Sequence, residues 1–153
     1  MVELKKMSDH EFEAWRNRSV ASYAAEKVKA GNFKEETGIE QSESEFQKLL
    51  PQGKDTPDHH LFTVMDEGEN VGMLWFHANN EMKENYIFDI EMLESKRGMG
   101  YGKQTLQALE DLSRDMGMEK ISLHVFGHNK TAIGLYTGTG FETTNIIMSK
   151  KLL

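Results

Sequence analysis

The sequence predicts a mixed α/β fold, and three observations carry that prediction. Two helical patterns lie near the N-terminus. Three β-rich stretches joined by short polar turns follow, and then comes a strand, a glycine-rich turn, a helix and another strand. Strands joined by tight turns pair antiparallel, whereas a helix between two strands brings them parallel through a right-handed crossover. At 153 residues the chain is read as one domain, 1–153, long enough to bury a core.

Residues 2–6 alternate apolar and charged side chains weakly, which suits a short edge strand. Ser8 and Glu11 have the spacing of a capping box, and Phe12, Trp15, Ser19, Tyr23 and Val28 follow at helical spacing before Gly31. The aromatic members read as core contacts. A second helix is predicted over 40–50, with Phe46, Leu49 and Leu50 apolar and Pro51 and Gly53 as the stop. The acidic stretch 35–45 suits a solvated face, or a rim that attracts a cationic substrate.

Residues 59–65 and 71–77 read as strands of a hairpin around the turn at 66–70, and 86–93 as a third long strand. A helix over 104–116 puts Leu106, Leu109, Leu112 and Met116 on one face, with Gly117 as its cap. Ile121, Leu123 and Val125 alternate as a strand buried on at least one face. Asn129 is a good N-cap for a short helix over 130–137, and 141–152 reads as closing β structure that could exchange or pair between two subunits of a homodimer.

Composition excludes several function classes. Apolar content of 38% and charged content of 28% are ordinary for a globular protein in water. A net charge of −7 argues against nucleic acid as the main partner and weakly favours a cationic substrate. Without cysteine there is no disulfide, zinc–thiolate site or cysteine nucleophile. No apolar run reaches membrane-spanning length and the N-terminus has no signal-like core, so a cytoplasmic location and no membrane partner are expected.

Chemistry concentrates in Arg97-Gly98-Met99-Gly100-Tyr101-Gly102-Lys103, directly before a helix. Glycines let the backbone approach a ligand closely, and the first amides of a helix are unpaired donors with a partial positive charge. With two flanking cations this makes a phosphate cradle, although a tight turn binding nothing would use the same glycines. A dinucleotide fingerprint fails because Lys103 occupies its last glycine position. A P-loop fails because Arg97 stands where its first glycine belongs and Gln104 where its hydroxyl residue belongs.

The pattern that fits is Arg-x-x-Gly-x-Gly, here Arg97, Gly100 and Gly102, followed downstream by Leu123-x-Val125, Asn129-x-x-Ala132-x-x-Leu135-Tyr136 and Gly140-Phe141. From residue 86 to 141 the chain resembles the GCN5-related N-acetyltransferases (GNAT). The resemblance implies a mostly antiparallel central sheet with helices on both faces and one splayed parallel strand pair. It also implies acetyl-CoA as cosubstrate, with no metal, and acetyl transfer to a primary amine in a ternary complex, a small molecule being favoured. Amides from Arg97 to Lys103 would hold the pyrophosphate, and Met92 and Leu93 would take the pantetheine arm as an added strand, with Asn129 nearby. Tyr136 resembles the family's general acid, which protonates the departing thiolate. For the base the residues leave Glu91, then Asp89, with His60 and His124 as alternatives. Glu91 and Asp89 share one face if their strand is regular, and a bulge would break that parity. A protein or peptide amino group as acceptor, or a non-catalytic acyl-CoA sensor, are the competing functions.

Overall fold

The computed structural model describes residues 1–153. Strand β1 (Glu3–Lys6) leads into helices α1 (Asp9–Lys29) and α2 (Gly38–Leu49). Strands β2 (His59–Asp66), β3 (Glu69–Asn79) and β4 (Glu84–Met92) follow, then helix α3 (Tyr101–Asp115), strand β5 (Lys120–Leu123) and helix α4 (Lys130–Gly138). The five strands lie in sequence order in one sheet, antiparallel except for the parallel pair β4–β5. The predicted fold class is the observed one. No helix is long and apolar enough to cross a membrane.

The capping box starts α1 as its spacing requires: Glu11 N–H donates to Ser8 Oγ at 3.1 Å and Ser8 N–H to Glu11 Oε1 at 2.8 Å. Helices α1 and α2 lock together where the buried Ser42 hydroxyl donates to the Val20 carbonyl at 2.7 Å. Alternation along the strands then divides the core into two layers. Leu61, Met73 and Trp75 pack with Phe12, Trp15 and Phe46 on the α1/α2 face. Phe62, Val64, Leu74, Phe76 and Ile87 pack with Leu106 and Leu109 on the α3 face. Trp15 meets Trp75 edge-on at 5.3 Å, so Phe12 and Trp15 are core contacts as expected, whereas Tyr23 on the same helix is only partly buried.

Two features of the sheet bear on function. The β4–β5 pairing runs only from Glu84 opposite Lys120 to Ile87 opposite Leu123, while β4 continues to Met92. Its last five residues therefore have a strand partner on one side only, and the parallel pair opens into a cleft. The second feature is a bulge: Phe76 pairs with Ile87 and Trp75 with Asp89, leaving Phe88 as the extra residue.

The sequence reading fails at the chain end. Residues 141–152 form no strand; the chain beyond Phe141 is extended and exposed, with Ile147 89% accessible. Ile146, Met148 and Leu152 recur at even spacing, but Ile147 and Lys150 interrupt the alternation.

Candidate active site

The glycine stretch lies at the mouth of the cleft. Gly98 and Gly100 adopt left-handed φ values of +74° and +83°, and a Cβ at either would meet nothing within 4 Å. The loop is therefore an open backbone surface that side-chain-bearing residues would strain to form. Gly100 is the N-cap of α3 and offers no capping side chain, and the first backbone bond of the helix is Gln104 N–H to the Gly100 carbonyl. The amides from Gly98 to Lys103 thus have no backbone acceptor and lie at the end of α3 where the helix dipole is positive.

Side chains hold this surface in place from behind. Tyr101 donates its hydroxyl to Asp66 Oδ2 at 2.7 Å, and Lys96 bonds Glu69 Oε2 at 2.8 Å, tying the loop to both sides of the β2–β3 turn. Arg97 donates from Nε to the Met92 carbonyl at 3.3 Å, which leaves its exposed guanidinium at the rim, 4.0 Å from Glu91. Gly102 permits α3 and α4 to touch: its Cβ would lie 3.2 Å from Leu135 Cδ2. Lys103 and Leu93 are exposed beside the loop, as is Met99.

Across the cleft, Asn129 caps α4, its Oδ1 accepting the Ala132 N–H at 3.2 Å. Tyr136 projects from α4 half-buried, with Phe141 packed edge-on at 5.6 Å, and its hydroxyl has no protein partner. Burial, and secondarily the Asp89 carboxylate, raise its pKa above the usual phenol value of 10.0.

The bulge explains how β4 supplies carboxylates there. Before it, Asn85 and Ile87 face α3, where the Asn85 amide donates to Ser113 Oγ at 2.8 Å. After it, Ile90 and Met92 take that face, so Asp89 and Glu91 turn toward α1 and α2. In a regular strand Asp89 and Glu91 would share the face of Asn85 and Ile87 and enter the apolar layer. The two acids do lie together after the bulge, which shifts both by one step.

Asp89 Oδ2 accepts the Trp15 Nε1–H at 3.2 Å. Burial pushes its pKa from 3.8 up to about 6, and the Trp15 bond and the Arg18 charge only partly offset that. Glu91 and Asp89 line a cavity of about 260 Å³ together with Arg18, Tyr23, Glu26, Glu45, Trp75 and Phe88. A neighbouring cavity of about 180 Å³ shares Arg18 and Glu91 and extends past His10 and Asn70. Four carboxylates against one arginine make the larger cavity acidic. Tyr23 carries a pKa of about 12, raised by burial and by the adjacent Glu45 carboxylate.

Several wall residues escape sequence reasoning. Arg18, Ser22 and Glu26 follow Trp15 along one stripe of α1, a helical spacing that could have pointed to them once Trp15 was placed. Of the acidic stretch 35–45 only Glu45 reaches the cavity, whereas Glu43 pairs with Arg16 at 2.7 Å on the surface. The two candidate histidines lie elsewhere. His60 stacks on Phe76 at 4.8 Å on the α3 face, and burial lowers its pKa; His124 is exposed beside Phe126.

Residues 27–141 match the model of the acetyltransferase (GNAT) family. The chain belongs to the GNAT family. It is 45% identical over 99% of both chains to YycN, an uncharacterized N-acetyltransferase of Bacillus subtilis, and 37% identical over 97% of both to a second, YdgE. The crystal structure of YycN covers 100% of this chain with a TM-score of 0.94, over 99% of its own length. The PaiA N-acetyltransferase of Thermoplasma acidophilum, determined with coenzyme A, is 17% identical and shares the fold at a TM-score of 0.69, over 96% of this chain and 93% of its own. Membership makes the protein a GNAT-fold acetyltransferase, a fold that works with acetyl-CoA.

Proposed function

We propose that this GNAT protein transfers an acetyl group from acetyl-CoA to the primary amine of a small cationic molecule, by direct attack on the thioester. One observation carries the reading: β4 has an open anion cradle at its C-terminal end and, on its α1/α2 face, an acidic, aromatic-walled cavity. An anionic cosubstrate and a cationic acceptor would thus meet along a single strand.

The residues present fit coenzyme A. Six amides without backbone acceptors, from Gly98 to Lys103, suit a pyrophosphate, with Arg97 and Lys103 supplying positive charge. The unpaired edge of β4 through Met92 and Leu93 suits an extended amide-bearing arm, and Asn129 stands on the opposite wall. The acceptor ammonium is attracted by Glu26, Glu45 and Glu91 and walled by Trp75 and Phe88, whose rings stack 4.7 Å apart.

Asp89 takes the proton that makes the amine nucleophilic, since a carboxyl held near 6 is ionised at neutral pH yet more basic than an ordinary carboxylate. The amine nitrogen then bonds the acetyl carbon, the carbon–sulfur bond breaks, and the Tyr136 phenol protonates the departing sulfur. Tyr136 is protonated at neutral pH, as a phenol ordinarily is, and burial raises its pKa further. Glu91, with Arg97 4.0 Å away, orients the amine.

A thiol-release screen with acetyl-CoA against polyamines, aminoglycosides, amino acids and peptides tests this reading. Turnover on small di- or polycations is expected. Turnover confined to peptides, or CoA-dependent thermal stabilisation with no thiol release on any amine, would refute it. Gly100→Glu is the control: unchanged acetyl-CoA affinity in that variant would remove the cradle.

A further inference from the structure

Arg18 is the single basic side chain in the walls of the larger cavity, and the chain gives it no partner. Arg16, on the same helix, donates to Glu43 at 2.7 Å on the surface, whereas the Arg18 guanidinium makes neither an ion pair nor a hydrogen bond. The carboxylates around it are turned to other groups: Asp89 to Trp15 at 3.2 Å, Glu91 to Arg97 at 4.0 Å and Glu26 to His128 at 3.8 Å. A guanidinium presents its N–H donors as a planar fork that matches a carboxylate through two parallel bonds.

Position sets what that fork can hold. Arg18 and Glu91 are the residues that line both cavities, and the smaller cavity continues to Leu93, on the cosubstrate side. Arg18 also lies one helical turn from Trp15, the residue bonded to Asp89. Glu26 stands about 12 Å further along α1, at about 1.5 Å per residue. Phe46 of α2 packs on Tyr23 at 6.0 Å and so brings its neighbour Glu45 to that same stretch of α1. The cavity is therefore polarised, with a cation beside the base and two carboxylates toward the far end.

We propose that the acceptor is a free diamino acid acetylated on its α-nitrogen, Arg18 holding the α-carboxylate and Glu26 and Glu45 the side-chain ammonium. This rests on the acetyl transfer proposed above and names its acceptor. A free amino acid carries its carboxylate one carbon from the α-amine, so a guanidinium beside Asp89 brings that nitrogen, and not the side-chain nitrogen, to the base. Asp89 takes one proton from the α-ammonium and the nitrogen bonds the acetyl carbon. The carbon–sulfur bond breaks as Tyr136 protonates the sulfur, and the second proton lost by the nitrogen returns to the Tyr136 oxygen. The N-terminal residue of a peptide has an amide in place of the carboxylate and offers Arg18 no charge.

The test compares lysine and ornithine with their carboxamides, which keep both amines and remove only the negative charge. The protein is expected to show kcat/KM about 10–100-fold higher for the free acids, the worth of a hydrogen bond between charged groups. The acetyl group should lie on the α-nitrogen, as read by NMR. Arg18 is exposed on α1, so its substitution leaves the core intact. In Arg18→Gln the ratio of free acid to carboxamide should fall to about 1, chiefly through KM, and Arg18→Lys should keep part of it. A carboxamide used as well as its acid, a ratio that survives in Arg18→Gln, or acetylation of the side-chain nitrogen overturns the proposal, and turnover of those amines leaves acetyl transfer itself standing. If no amine releases thiol, acetyl transfer fails instead, and calorimetric titration of lysine and lysinamide into the CoA-saturated protein decides the role of Arg18. Tighter binding of lysine, lost in Arg18→Gln, supports it; equal binding overturns it.

Discussion

Replacing Asp89 by asparagine separates what this residue does for chemistry from what it costs the fold. Its carboxyl titrates near 6 in the folded chain against 3.8 ordinarily, chiefly because burial disfavours the charge. At 1.36 kcal/mol per unit, holding the ionised form costs about 3 kcal/mol. The folded chain binds this proton more tightly than the unfolded one. The associated stability is therefore complete below about 4 and is lost as pH rises through about 6. Asparagine keeps a carbonyl oxygen for the Trp15 Nε1–H and carries no charge, so at about pH 7.5 Asp89→Asn should be more stable by up to about 3 kcal/mol, or about 6–12 °C in Tm. By about pH 4.5 roughly 2 kcal/mol of that gain should be gone, because the parent carboxyl is then protonated. Urea denaturation of both proteins at the two pH values measures the double difference. Under the same conditions the variant should lose about 10²–10⁴-fold in kcat/KM. A variant no more stable than its parent at the higher pH, or a gain independent of pH, would refute the account of Asp89 as a desolvated carboxylate. Full activity would refute its role as base.

Tyr136→Phe should lower kcat about 10²–10⁴-fold with acetyl-CoA affinity unchanged, and shift stability by less than about 1 kcal/mol because its hydroxyl has no protein partner; stopped-flow turnover and denaturation check both. Trp15→Phe removes the donor that favours the charged form of Asp89, so the acidic limb of the pH–rate profile should move to higher pH. At Gly72 a Cβ would overlap the Glu91 carbonyl and the Met92 thioether, so Gly72→Ala should cost about 1–3 kcal/mol and raise the KM for acetyl-CoA by displacing the end of β4. Gly134→Ala, in open space inside α4, should instead stabilise by about 1 kcal/mol with kcat retained, measurable by thermal denaturation.

Elements with strong local signals were legible in the sequence. The capping box of α1, the hairpin turn between β2 and β3 and the glycine cradle before α3 each rest on interactions within a few residues, and each appears where its pattern predicts. The larger cavity joins α1, α2, β3 and β4, and contacts such as Trp15 with Asp89, 74 residues apart, leave no local trace. The bulge at Phe88 is similarly silent, since no glycine or turn residue marks it and its cause is the pairing with β3. The expectation of closing β structure over 141–152 fails, because the β-branched and apolar residues around Ile146 favour extended backbone without specifying a strand partner.

The bulge at Phe88 also predicts how β4 tolerates change. Substituting every position of this strand in turn and ranking survival by stability should give an alternating profile, with Asn85 and Ile87 as its sensitive positions. At Phe88 that alternation should slip by one, so that Ile90 and Met92 become sensitive and Asp89 and Glu91 tolerant. Ranking the same library by acetyl transfer should reverse the second half of the profile and leave the first half unchanged. One inserted residue thus divides a nine-residue strand into a segment answerable to folding and a segment answerable also to the reaction.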